Sequence, residues 1–250
     1  MQQLPKRLLA LMFILVSGLW VTPIIAQTPP NVLVVGQIAE PKSLDPHAVT
    51  AVNDFRILVN LYDGLVRYRD GTLEVEPALA TSWQISEDGL RYTFELRKGV
   101  RFHDGTPFNA EAVKFNFERM LNPQHPYHDT GPFPLAFFFS AVQSVEALGE
   151  HQVTFILDAP YAPFLANLAY PTGLLASPTA IQKYAKDYGR YPVGTGAFRF
   201  IEWQSNAKVV VVRNDEYLDD AAALEAVVFR PITDANTRIA EMLSGGLDLM

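Results

Sequence analysis

A chain of 250 residues, 49% of them hydrophobic, has enough apolar mass for one large domain or two modest ones. Its formal net charge is −7, and its longest basic cluster in the body is the short group Arg97, Lys98 and Arg101; this argues against a nucleic-acid partner, because phosphate contacts need grouped Lys and Arg. The absence of cysteine excludes disulfide frameworks, thiolate metal sites, thiol nucleophiles and lipid attachment through an N-terminal Cys.

Residues 1–26 read as a leader and not as part of the fold. Lys6 and Arg7 give a positive start, an apolar stretch runs from Leu8 to Val21, and Pro23 ends it. That layout is a secretory signal, with cleavage expected after Ala26. The stretch is short for a bilayer span and no positive stop sequence follows. The mature protein is therefore expected outside the cytoplasm.

Val32 to Ile38 is an apolar run of strand length followed by Glu40-Pro41, which reads as a buried first strand. A helix is expected over Val49 to Leu61, ending before the turn pair Asp63-Gly64. A short strand over Leu65 to Tyr68 turns at Asp70-Gly71. From Arg91 to Leu96 the residues alternate, with Tyr92, Phe94 and Leu96 on one face, the pattern of a half-buried strand. Asn109 is placed to cap the next helix, whose Val113, Phe117 and Leu121 share a face. The stretch 122–134, with four prolines and two histidines, reads as a loop. Gln152 to Leu157 is a further strand, and Pro163 to Leu168 a short helix opened by its proline. Strands are expected over Phe198 to Trp203, Lys208 to Val212 and Ala226 to Phe229. A last helix, capped by Thr233 or Asp234 and ended by Gly245-Gly246, puts Ala235, Ile239, Met242 and Leu243 on one face.

Several blocks fall in a linked order. They are Ser43-Leu44-Asp45-Pro46, Tyr62-Asp63-Gly64-Leu65-Val66, Ala80-Thr81-Ser82-Trp83, Ser86 to Gly89, Tyr92 to Arg97 and Phe102-His103-Asp104-Gly105. Ala162 to Leu165, Gly194-Thr195-Gly196-Ala197-Phe198, Arg213 to Tyr217 and Asp234 to Arg238 follow. This set resembles the signature of the bacterial family 5 extracellular solute-binding proteins, the oligopeptide, dipeptide and nickel-binding group, over nearly all of the mature chain. The resemblance implies an α/β, periplasmic-binding-protein-like fold of the class II (cluster C) type, in which two lobes close on a ligand about a hinge. It further implies that residues 27–45 with 159–250 form the core of the first lobe, that 46–158 form a subdomain inserted in it, and that the second lobe lies outside this sequence.

By the same resemblance, the loop after Leu-Asp-Pro faces the cleft, which makes His47, Val49, Thr50 and Ala51 candidate ligand contacts, with Thr50 alternatively capping the following helix. Tyr170 and Thr172 lie where the family approaches the cleft again. The corresponding stretch, Tyr170 to Leu175, lacks the arginines that hold a metal chelate in the nickel-binding branch. No cofactor and no metal are called for. His125 and His128 lack a carboxylate partner at helical spacing, and His103-Asp104, although a catalytic pair on paper, sits in a turn signature. The function so implied is the periplasmic substrate-binding component of an ABC importer, a monomer that captures peptides or similar solutes and delivers them to membrane permease subunits. The alternatives are a secreted hydrolase acting through two carboxylates and a solute sensor without transport.

Overall fold

The computed structural model describes residues 29–250; the leader expected over residues 1–26 lies outside the described residues. The first strand, β1 (Val32–Gln37), leads through an extended loop into α1 (Val52–Leu61). A hairpin of β2 (Val66–Tyr68) and β3 (Val75–Pro77) follows, then β4 (Ala80–Ile85), β5 (Arg91–Leu96) and α2 (Ala110–Leu121). After two single 3-10 turns come β6 (Val142–Ala147), β7 (Gln152–Leu157), α3 (Phe164–Ala169) and α4 (Pro178–Tyr184). The chain closes with β8 (Phe198–Gln204), β9 (Lys208–Arg213), β10 (Ala226–Pro231) and α5 (Ala235–Leu243).

Two four-stranded sheets organise these elements. One has the order β1-β10-β9-β8, with β1 and β10 parallel and the others antiparallel. The first strand thus pairs with the last, and everything between is a single long excursion. Leu249 extends this sheet as a parallel bridge beside Val35, and the Asp248 carboxylate accepts from the Val34 amide at 2.7 Å. The second sheet, β4-β5-β7-β6, is antiparallel throughout.

Each sheet has its own core. On β5 the alternation holds, with Tyr92, Phe94 and Leu96 buried. Phe155 of β7 joins Phe94 (ring centroids 5.8 Å apart) to Phe117 of α2 (4.8 Å), both edge to face, so the aromatic residues tie the sheet to its helix through preferred ring geometry. Around the other sheet, Val35, Val209, Val211, Val227 and Phe229 pack with Ile57, Leu58 and Leu61 of α1 and Ile181 of α4. Helix α1 therefore belongs to the core of the β1-containing sheet.

The element boundaries expected for β5 and β7 coincide with the observed ones, and Asn109 caps α2 by accepting from the Ala112 amide. Three features differ. Helix α1 begins three residues later than expected, because Ala51 is extended (φ −92°, ψ 143°) and occupies the cap position, without a capping side chain. Strands β3, β4 and β6 and helix α4 are present in addition to the expected elements. Helix α4 has Ser177 accepting from the Ala180 amide and Pro178 at its first position, a start pattern that fits helix geometry. The apolar face expected of α5 has no buried residue among those described, with Leu243 83% exposed.

Candidate functional site

The loop from Ser43 to Ala51 is built on a buried ion pair. Asp45 and Arg119 are 2% and 0% exposed, and the guanidinium Nη2 donates to Asp45 Oδ2 at 2.5 Å. The Asp45 carboxylate also accepts from the His47 amide, 3.0 Å away, so the aspartate bends its own backbone into a turn. Arg119 is satisfied further by Thr130 Oγ1 (2.9 Å) and lies over the Phe133 ring, 5.0 Å from its centroid. Below the loop, the Tyr62 hydroxyl donates to the Leu44 carbonyl at 2.7 Å and sits 3.0 Å from the hydroxyl of Tyr188. Burial pushes the pKa of both phenols up, so both rings stay neutral.

This architecture divides the six candidate contacts. His47 is 2% exposed; its Nε2 is 3.0 Å from the Leu174 carbonyl, and burial, reinforced by Arg119, lowers its pKa to about 4. It is a neutral ring that donates from Nε2. Val49 and Thr172 are buried at 3% and 0%, with Thr172 Oγ1 near Met120 Sδ. Their side chains face the core and are closed to a solute. Thr50 is exposed, Ala51 is half-buried, and Tyr170 is half-buried. The cap position of α1 is Ala51, so Thr50 does not serve as its cap.

Tyr170 stands in a row of rings. It meets Phe55 of α1 at 5.5 Å and Phe138 at 5.4 Å, and Phe138 meets Phe137 at 4.7 Å, each edge to face. Its neighbourhood also raises the Tyr68 phenol pKa, through burial first and Tyr170 second. Tyr170 is expected from the sequence, whereas its packing with Phe138 and Phe137 is a product of the fold. The triple Phe137-Phe138-Phe139 was the available signal, but nothing local says which of three adjacent rings faces outward.

The remaining polar candidates are engaged in the scaffold. The His103 amide donates to the Gly194 carbonyl (2.8 Å) and its Nε2 lies 3.0 Å from the Gly196 carbonyl, while burial lowers its pKa to about 4. Asp104 accepts from Thr106 and from Ser177 Oγ, so the two members of the apparent catalytic pair serve different loops. The Gly194-Thr195-Gly196 block lies against the end of α1: a Cβ on Gly196 would come within 2.5 Å of the Leu61 carbonyl carbon. Asp63, its pKa raised by burial, accepts from Thr195 Oγ1 (2.8 Å) and the Tyr217 hydroxyl (3.0 Å). Asp219 bonds to Arg67 at 2.8 Å. His125 packs on Phe115, and His128 Nδ1 contacts the Arg119 carbonyl. Among the described residues, no three His, Asp or Glu side chains gather as a metal site, and no helix is long and apolar enough to cross a membrane. The linked sequence blocks are thus partners of one another: Asp45 with the ion-pairing helix, Tyr62-Asp63 with Thr195 and Tyr217, His103 with Gly194 and Gly196.

Residues 74–250 match the model of the bacterial extracellular solute-binding proteins, family 5 Middle. The chain belongs to the family 5 solute-binding proteins. Di/tripeptide-binding protein 2 of Pseudomonas aeruginosa is 38% identical over 233 residues, which cover 86% of this chain and 44% of that protein. Heme-binding protein A of Haemophilus influenzae is 36% identical over 76% of this chain and 38% of its own length. Among solved structures, the periplasmic binding protein DppA from Helicobacter pylori in complex with peptide STSA superposes with a TM-score of 0.79 at 36% identity, covering 86% of this chain and 45% of that one. The dipeptide-binding protein from Pseudoalteromonas sp. SM9913 in complex with Met-Leu gives 0.81 at 33%, covering 87% and 46%. The fold class is therefore the α/β type of periplasmic binding proteins, and the chain spans less than half the length of each of these relatives.

Proposed function

We propose that this chain is part of a periplasmic receptor that captures peptides or similarly sized solutes and delivers them to the permease of an ABC importer. The observation that carries the reading is the likeness, above 30% in sequence and near 0.8 in TM-score, to proteins whose names and complexes specify short peptides of two to four residues. Capture requires no covalent step and no cofactor: binding energy shifts the receptor toward a closed form that the permease recognises. Thr50, Ala51 and Tyr170 are the proposed solute contacts from this chain, with His47, Val49 and Thr172 holding the loop and its floor from within. Thr50 supplies a hydroxyl, and the extended backbone at Ala51 supplies groups suited to an extended peptide.

The reading includes export by the leader 1–26 and a monomeric, unlipidated protein in the periplasm. It also includes the division into a core unit, 27–45 with 159–250, and an inserted unit, 46–158. The packing of α1 on the β1-containing sheet favours starting the inserted unit after Tyr62. The test is uptake of labelled dipeptide in the native host, with and without the gene, alongside calorimetry on the purified natural protein. Loss of uptake together with saturable binding supports the proposal. Unchanged uptake with no binding removes it.

A further inference from the structure

We propose that the Asp70-Gly71 pair at the tip of the β2–β3 hairpin is a covalent modification site, where the aspartate isomerises to isoaspartate through a cyclic imide. Four Asp-Gly pairs occur in the chain, at 63–64, 70–71, 88–89 and 104–105. A glycine after aspartate leaves the attacking main-chain amide unshielded by any side chain, so all four pairs carry the same intrinsic chemistry. The fold separates them.

Three of the pairs are held. The Asp63 carboxylate accepts from Thr195 Oγ1 at 2.8 Å and from the Tyr217 hydroxyl at 3.0 Å, and Gly64 is buried. Asp88 accepts from Ser86 Oγ and from the Leu90 amide, while the Gly89 amide donates to the Ser86 carbonyl at 2.9 Å. Asp104 accepts from Thr106 with one oxygen and from Ser177 with the other, and the Gly105 amide donates to the Phe102 carbonyl at 2.8 Å. At each of these pairs, ring closure must first break a hydrogen bond made by one of the reacting groups.

Asp70-Gly71 is free on both sides of the reaction. Both residues are exposed, and a Cβ placed on Gly71 would meet no atom within 4 Å. The bonds that shape the turn belong to its neighbours. The Thr72 amide donates to the Arg69 carbonyl at 3.0 Å, the Arg69 amide donates to the Glu74 carbonyl at 2.8 Å, and the Arg69 guanidinium pairs with Glu74 and Glu76. Among the described residues, these bonds leave the Asp70 carboxylate without a partner and the Gly71 amide without an acceptor. Gly71 takes φ +70°, a region that glycine enters and leaves at no steric cost, so the pair can rotate until nitrogen and carboxyl meet.

In the step itself the Gly71 nitrogen attacks Cγ of Asp70 in its acid form. The C–N bond forms, and the amide proton leaves with the carboxyl hydroxyl as water. Water then reopens the ring. Addition at Cγ restores aspartate; addition at the Asp70 main-chain carbonyl carbon gives isoaspartate, unchanged in mass and longer in its backbone by one methylene. The open space around the turn accepts that methylene, and the Arg67–Glu76 pair, at 2.8 Å, holds the two strands beneath it.

The test incubates the natural protein at neutral pH and body temperature. Aliquots are then cleaved with an endoprotease that cuts before aspartate and not before isoaspartate, and electron-transfer fragmentation locates the isomer. Isoaspartate is expected at Asp70 about tenfold or more faster than at Asp63, Asp88 or Asp104, because each of those must give up a hydrogen bond to a carboxylate. In denaturing urea the four rates should converge. Ser86→Ala, which frees the Asp88 carboxylate from its hydroxyl partner, should raise the Asp88 rate and leave the Asp70 rate unchanged. Equal rates at the four sites in the folded protein overturn the proposal. So does an Asp70 that is silent when folded and reactive in urea, since the turn would then be covered. Peptide binding enters none of these outcomes, so solute capture stands or falls separately.

Discussion

Replacing Arg119 by methionine would remove the cation that neutralises Asp45 while keeping most of the side-chain volume. Both groups are buried, and the carboxylate has its second oxygen 3.4 Å from the same guanidinium. Breaking such a pair from one side leaves an uncompensated charge in a low-dielectric site and costs about 3–5 kcal/mol. The Thr130 hydrogen bond and the contact with the Phe133 ring are lost as well. At about 2–4 °C per kcal/mol for a protein of this size, the melting temperature should fall by roughly 10 °C. Circular dichroism melts of the natural protein, Arg119→Met, Asp45→Asn and the double variant measure this. Removing both charges should be less harmful than the two single losses summed, with a coupling on the order of 2 kcal/mol. A loss below about 1 kcal/mol for Arg119→Met, or strict additivity, would refute the claim that this pair sets the loop.

Two further outcomes follow from the scaffold. His47 has a folded pKa of about 4 against an unfolded value of 6.5; the unfolded chain therefore binds the extra proton first, and the His47 contribution, complete above pH 6.5, is lost as pH falls toward 4. His47→Gln, which retains a donor toward the Leu174 carbonyl, should flatten the dependence of melting temperature on pH between 7 and 5, and an unchanged slope would assign that dependence to other groups. Gly196→Ala should destabilise by about 3 kcal/mol, since its Cβ would overlap the Leu61 carbonyl carbon and lie 2.6 Å from the Asn60 oxygen; a wild-type denaturant midpoint would contradict that close approach.

Local patterns carried much of this fold. Strand β5 announces itself because one face is buried and the other wet, and β7 because its apolar run is dense. Strand β6 did not, because among its six residues Val145 alone is fully buried, which leaves no period to read. Helix α4 was legible in principle, since Ser177-Pro178 is a cap followed by a first-turn proline, but seven residues offer too little periodicity to draw attention to it. The site is a different case. Thr50 and Tyr170 came from family likeness, and burial separates them from His47, Val49 and Thr172, which no local rule could do. The pairing of Asp45 with Arg119 spans 74 residues, and the contact of Phe55 with Tyr170 also joins distant elements. Such contacts are products of the tertiary fold, and sequence spacing is silent on them.

The central claim, solute capture, is tested most directly by a native mass spectrum of the protein released gently from the periplasm of its own host. The account predicts a non-covalent adduct with the mass of a short peptide or comparable solute, displaced when an excess of a tightly bound dipeptide is added. A bare polypeptide that gains no adduct on addition of di- and tripeptides would contradict it.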